Sequence, residues 1–330
     1  MSAVLPEAIP AASPQPVAAP PLPEFFIVLN LGSGKQDKDE VRATIERELA
    51  AANRRYRFVP VAPGQIVHAC QEAARLAAAE GGVMVAVGGD GTINCAAQAA
   101  LAHDCPLGLI AQGTFNLFAR QLGLPLEPQE ATRRLLEARP EPVQVGSVNQ
   151  RVFLVNASVG LYPKLLADRE EVKQRLGRRR WIAMLAGLKS LFEWRLQLLL
   201  DAEVDGHVTR LRTPSLFVCN NRLQLERLGI EEEVVQRVGT GCLAGILARS
   251  LSPGTKLRLL VRAALGKLGD SQEIASFTMK SLTVSTRNAR RLKVATDGEV
   301  QWMELPLRFA VVPRPLQVML PPPEARLPPK

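Results

Sequence analysis

Aromatic side chains make up only 5% of this 330-residue chain, and no RNA- or DNA-binding motif accompanies its net charge of +9. Nucleic acid is therefore a poor partner for the basic excess, which points to another anion such as a nucleotide or a lipid surface. The 5 cysteines (Cys70, Cys95, Cys105, Cys219 and Cys242) contain no C-x-x-C pair and no zinc-type spacing with histidine. An odd number makes no closed disulfide framework, so buried, reduced thiols in a cytosolic protein are expected. Neither G-x-x-x-x-G-K-[ST] nor G-x-G-x-x-G occurs, which removes the P-loop and weakens dinucleotide redox chemistry. No Lys or Arg precedes the first apolar stretch, so the start is not of secretory type, and the apolar-rich run 181–200 is broken by Lys189, Glu193 and Arg195. Proline is scarce where it matters: 14 of 25 lie within residues 1–24 and 313–330, leaving the body free for regular helices and strands.

What is present is an alternation of short apolar runs and helical spacing. Strands are expected at Phe25–Asn30, Arg57–Val61, Val83–Val87 and Leu107–Ala111, with helices at Asp37–Asn53, Ile66–Glu80, Thr92–Ala102 and Thr114–Leu122. Such alternation predicts a parallel sheet covered on both faces. Near residue 140 the texture changes. Strands are expected at Val143–Val148, Arg151–Val159, Leu196–Val204, Val208–Leu211, Leu216–Asn220, Ser276–Ser285 and Leu292–Thr296, with helical stretches near 164–195 and 255–267. The expected division is a disordered Pro/Ala-rich tail 1–24, an α/β unit 25–140, a β-rich unit 141–320 and a Pro-rich tail 321–330.

Ligands of open parallel sheets bind outside the carboxyl ends of the strands. Three loops stand there: Asn30-Leu31-Gly32-Ser33-Gly34-Lys35, Gly88-Gly89-Asp90-Gly91-Thr92, and Gln112-Gly113-Thr114-Phe115-Asn116. Glycine lets backbone N–H groups approach a phosphate, and a helix start adds partial positive charge. Each loop alone could equally be a tight strand-to-helix turn. Asp90 sets the middle loop apart, because a carboxylate beside a phosphate repels it unless a metal bridges them or the carboxylate handles a proton.

GGDGT at 88–92, GTFNLFARQLGLP at 113–125, NLGSG at 30–34 and TDGE at 296–299 together resemble the diacylglycerol kinase catalytic-domain family. They are most similar to its bacterial lipid-kinase branch, related to sphingosine and ceramide kinases. GGDGT alone is shared with NAD kinases; the ordered combination is more specific. The resemblance implies a Rossmann-like three-layer α/β nucleotide domain followed by a β-sandwich-type domain. It further implies ATP-dependent phosphate transfer to a lipid alcohol, with Mg²⁺. By that resemblance Asn30, Ser33, Gly34, Gly88, Gly89, Gly91, Thr92, Gly113, Thr114 and Asn116 face ATP, and Asp90 takes the Mg²⁺–γ-phosphate position. Asp297, Gly298 and Glu299 come from the second domain, with Glu299 or Asp90 accepting the hydroxyl proton.

Two departures from the family pattern stand out. Leu117 follows Asn116 where relatives carry Asp, and Val238–Leu243 (VGTGCL) lacks the acidic residues that in some relatives hold a second, structural Mg²⁺. Residues 168–195 carry eight Lys/Arg against four Asp/Glu, densest at Arg175, Arg178, Arg179 and Arg180, beside Trp181, Phe192 and Trp194. Contact of 175–195 with an anionic membrane is one reading, and a solvated helix packed on the β-rich unit is the other. The expected location is cytoplasmic, peripheral at the inner membrane face. NAD kinase and a catalytically silent nucleotide- or lipid-binding protein are the competing functions.

Overall fold

The computed structural model describes residues 22–30, 38–160, 198–248, 274–287 and 289–329. The expected tail up to residue 21, Ser33, Gly34, the basic segment 168–195 and the helical stretches near 164–195 and 255–267 lie outside the described residues.

The first sheet forms because its three central strands are apolar and buried along their whole length and can bury both faces. β1 (Phe25–Leu29) runs parallel to β2 (Tyr56–Phe58) on one side and to β3 (Val83–Gly88) on the other, and β4 (Leu107–Ala111) pairs parallel to β3. Along β1 the side chains alternate. Phe26 and Val28 enter a core shared with the alanine-rich faces of α2 (Ile66–Glu80) and α3 (Asp90–His103), where small residues such as Ala73 and Ala97 let the helices lie close. Phe25, Ile27 and Leu29 enter the opposite core with Ile45 of α1 (Lys38–Ala51) and Leu135 of α5 (Pro128–Glu137). Each fully buried Phe or Ile contributes roughly 1.5–3 kcal/mol, so both layers hold the sheet.

A division of the chain at residues 140 and 320 does not follow the sheet. β5 (Arg139–Val143) and β18 (Leu316–Leu320) complete it in the order β2-β1-β3-β4-β18-β5, with β18 parallel to β4 and antiparallel to β5. The chain leaves the first unit, builds the second and returns. Beyond β18, residues 321–329 lie against the body: Arg326 pairs with Glu141, and the Leu327 N–H donates to the Gly123 carbonyl at 2.8 Å.

The second unit is a sandwich of two six-stranded antiparallel sheets. One contains β6 (Gly146–Val148), β7 (Arg151–Phe153), β9 (Leu198–Val204), β10 (His207–Thr213), β14 (Ser281–Ser285) and β17 (Leu307–Val311), in the order β10-β9-β14-β17-β6-β7. The other contains β8 (Asn156–Gly160), β11 (Ser215–Cys219), β12 (Leu243–Ala248), β13 (Ile274–Met279), β15 (Arg291–Thr296) and β16 (Glu299–Glu304), in the order β13-β12-β11-β8-β15-β16. Phe153, Leu282 and Phe309 from the first meet Val159, Val218 and Val294 from the second in one apolar core. Two short helices, α6 (Arg222–Arg227) and α7 (Glu232–Arg237), close part of the outer face through Leu225 and Val235. The three-layer domain with a following sandwich is thus the expected architecture. Among the described residues no helix is long and apolar enough to cross a membrane.

All five cysteines are unpaired. Burial pushes the Cys70 and Cys219 thiols up to about 12 and Cys105 to about 11, which leaves them inert.

Candidate active site

Asn30 at the end of β1 and the loops at the carboxyl ends of β3 and β4 converge. Asn30, just past β1, donates its N–H to the Val87 carbonyl at 3.0 Å and its side-chain Nδ2 to Thr92 Oγ1 at 2.7 Å. This ties the end of β1 to the start of α3. Gly88 ends β3, and Gly89 is the N-cap of α3 with no side-chain cap. The first-turn N–H groups of a 14-residue helix are therefore left for an incoming anion.

Glycine is required where the second and third loops meet. A Cβ on Gly113 would lie 2.8 Å from Gly89 Cα and 2.7 Å from Asn116 Oδ1. The contact is backbone against backbone, with the Gln112 N–H donating to the Gly88 carbonyl at 2.7 Å. Asn116 sits in the left-handed region (φ 51°), where asparagine is tolerated, and so delays α4 to Leu117–Gln121 instead of the expected start at Thr114. Its amide is consumed locally: Oδ1 accepts from the Gly113 N–H at 2.8 Å and Nδ2 donates to the Gly113 carbonyl at 2.9 Å. Asn116 holds the loop's shape, while Thr114 and Phe115 form its exposed tip.

Asp90 is the first residue of α3 and also caps the next loop, Oδ2 accepting from the Asn116 N–H at 2.9 Å. Its Oδ1 is buried and has no hydrogen-bond partner. Burial pushes the Asp90 carboxyl above the ordinary Asp range, opposed by the backbone N–H groups of Asn116, Leu117 and Phe118 and by the charge of Arg120. A buried carboxylate oxygen with an open lone pair at a helix start is strained electrostatics, of the kind that binding sites hold.

From the sandwich comes the β15–β16 hairpin. Thr296 pairs with Glu299, and Asp297 (φ 47°) and Gly298 (φ 91°) form the two-residue turn, the backbone that Asp-Gly favours. The two carboxylates of this hairpin have different surroundings. Asp297 Oδ2 accepts from the Leu154 N–H at 2.8 Å and from Asn94 Nδ2 at 2.7 Å, and Oδ1 accepts from the N–H groups of Val155 and Asn156 at 2.9 and 3.0 Å. Burial pushes its pKa up against the pull of these four donors. With both oxygens engaged, Asp297, expected as a catalytic carboxylate, pins the β7–β8 turn to α3.

Glu299 projects the other way. Its Oε1 would be 3.2 Å from a Cβ on Gly91, against the first turn of α3, and its Oε2 accepts from Arg151 Nη2 at 2.6 Å. The side chain remains half exposed at the cleft mouth. Arg151 also donates from Nε to Thr296 Oγ1 at 3.2 Å. Sequence reasoning missed Arg151 and Gln98 and noted Asn94 only as one turn into the helix; Asn94 Nδ2 donates to the Val152 carbonyl at 3.0 Å and Gln98 Oε1 accepts from the Val152 N–H at 2.9 Å. These roles have no local motif, because each partner lies more than fifty positions away.

The VGTGCL turn does carry polar contacts, but amides make them. Gln144 Oε1 accepts from the Gly241 N–H at 2.7 Å, and Gln144 Nε2 donates to Asn220 Oδ1 at 2.8 Å and to the Cys242 carbonyl at 2.9 Å. Among the described residues no cluster of three His, Cys, Asp or Glu could hold a metal.

Fold and site together define a two-domain α/β protein in which the loops after β3 and β4 are faced by a carboxylate from the sandwich. Residues 24–148 match the diacylglycerol kinase catalytic domain. The chain is 32% identical over 164 residues to a Serratia proteamaculans protein named "Probable lipid kinase YegS-like", a match covering 48% of this chain and 52% of that one. It thus spans about half the length of that relative. With a Mycobacterium tuberculosis protein named "Diacylglycerol kinase" it is 29% identical over 266 residues, 76% of this chain and 80% of the relative. A diacylglycerol kinase structure from Bacillus anthracis superposes with a TM-score of 0.64 at 20% identity, covering 92% of this chain and 98% of that one, which establishes the shared fold.

Proposed function

We propose that the protein is an ATP-dependent lipid kinase that moves the γ-phosphate to the hydroxyl of diacylglycerol or a related lipid alcohol. The observation that carries this reading is the placement of Glu299, a half-exposed carboxylate from the sandwich, against the uncapped first turn of α3. The matched domain and the lipid-kinase names of the relatives favour a lipid alcohol over a dinucleotide as acceptor.

The N–H groups around Gly89, Gly91 and Thr92 receive the phosphates, and Gly113 and Thr114 form the facing wall. Ser33 and Gly34 complete the first wall by resemblance only. Asp90 suits Mg²⁺: its Oδ1 is a buried carboxylate oxygen without a protein partner, and magnesium is commonly held by one or two carboxylates plus phosphate oxygens and water. When bound, the ion neutralises charge on the phosphates. As the lipid oxygen bonds to the γ-phosphorus, the bond to the bridging oxygen breaks and ADP leaves. Glu299 accepts the hydroxyl proton, held in place by Arg151.

The test is incubation with γ-labelled ATP, Mg²⁺ and mixed lipid vesicles, with NAD in a parallel tube. Label in an organic-extractable product that disappears in Asp90→Ala supports the reading. Label in a water-soluble dinucleotide, or ATP binding with no transfer to any lipid alcohol, refutes it.

A further inference from the structure

The hairpin that delivers Glu299 has an outer face that the proposed chemistry does not use. Leu292, Val294 and Met303 of β15 and β16 point into the sandwich core. By alternation Arg291, Lys293, Trp302 and the exposed Glu304 share the opposite face, with Lys293 directly across from Trp302 and Arg291 across from Glu304. The Trp302 side chain is 55% exposed, and the Arg291 and Lys293 cations lie 4.9 and 5.4 Å from its ring centroid. Neither cation has an ion-pair partner among the described residues, and Arg290 is exposed beside them.

β16 is the last strand of its sheet. Charges on an edge strand block the addition of a foreign strand, but Arg291 and Lys293 stand on β15, one strand in from that edge, so edge protection explains neither cation. Nor does it account for Trp302, whose exposed ring works against an inert edge. One environment suits all three side chains: an anionic bilayer surface, where phosphates meet the cations and the indole settles at the boundary of headgroup and acyl chain. Trp302 is three residues along β16 from Glu299, about 10 Å at the rise of a strand.

We propose that this outer face, built on Arg291, Lys293 and Trp302, is the surface by which the protein seats on an anionic lipid bilayer. Resting on the lipid-kinase reading, the seating brings the cleft mouth to headgroup depth, where the substrate hydroxyl lies.

The experiment is sedimentation of the full chain with vesicles of phosphatidylcholine alone and of phosphatidylcholine mixed with phosphatidylglycerol, at low and high salt. Binding is expected only to the anionic vesicles. It should weaken about 5-fold for each of Arg291→Ala and Lys293→Ala, from the roughly 1 kcal/mol that a cation gains near such a surface. Trp302→Phe should lose the part of the fluorescence change on binding that brominated lipid quenches. Circular dichroism of each variant checks that it folds. Anionic-vesicle binding unchanged in the three variants overturns the proposal, as does equal binding to neutral vesicles or displacement by duplex DNA with no vesicle dependence. Transfer to a short-chain, water-soluble lipid alcohol separates the two readings. If the variants keep that activity and lose only vesicle-bound turnover, the seating surface stands. If the wild type binds anionic vesicles through these residues but phosphorylates no lipid alcohol, the kinase reading fails and the surface remains.

Discussion

Replacing Asp297 with Asn isolates the contribution of the carboxylate that joins the two units. In the wild type each oxygen accepts two hydrogen bonds, from Leu154 N–H and Asn94 Nδ2 on one side and from the N–H groups of Val155 and Asn156 on the other. An asparagine has one accepting oxygen and one NH₂, so in either orientation two N–H donors face another donor. A donor left unsatisfied costs about 1–3 kcal/mol, and the surviving pair loses the strengthening that a charge gives, for a total of about 4 kcal/mol. With a urea slope of about 3 kcal/mol/M, the unfolding midpoint should fall by about 1 M. Circular dichroism in urea measures it, with Glu299→Gln as the control two residues away, whose half-exposed side chain should leave the midpoint in place. An Asp297→Asn midpoint equal to the wild type's, accompanied by lost phosphoryl transfer, would refute the assignment and return Asp297 to the chemistry.

Glu299→Gln should lower turnover about 10²- to 10⁴-fold with little change in ATP affinity, as measured by steady-state kinetics and equilibrium binding. Asp90→Asn should abolish transfer yet raise the melting temperature at neutral pH, since it removes a buried charge with an open oxygen. The sign follows from a folded pKa raised above 3.8: the protonated form is favoured in the fold, so this stabilisation is complete below the ordinary Asp pKa and is lost as pH rises through the raised one. The gap in melting temperature between variant and wild type should therefore open with rising pH and then level off, and a constant gap would count against it. Gly113→Ala should push the second and third loops apart, because its Cβ would meet Gly89 Cα at 2.8 Å, and weaken ATP binding more than it lowers overall stability. Titration with a fluorescent ATP analogue checks it.

Much of the first unit was legible because it is locally encoded. The buried strand runs, the helix at Ile66–Glu80 and the strand–glycine–helix junction at Gly88–Asp90 depend on neighbours in the chain. The helix at Pro128–Glu137 was missed although its signals are local: Pro128 at the start and Glu127 accepting from the Glu130 N–H at 2.8 Å. β12, β16 and β17 escaped as full strands in the same way, as did the short helices at Arg222–Arg227 and Glu232–Arg237.

The sequence by itself determined an α/β unit followed by a β-rich one, the free thiols, the glycine loops and the Asp-Gly turn, because periodicity, glycine content and turn chemistry act over a few residues, while the sandwich was implied only by the family resemblance. Only the tertiary structure decided that β5 and β18 close the first sheet, since strand order joins segments far apart in the chain. It also decided between two carboxylates two positions apart. Asp297 turns inward to four donors and Glu299 outward to Arg151 and the start of α3, because the partners that define each environment come from β7, β8 and a helix some two hundred residues upstream.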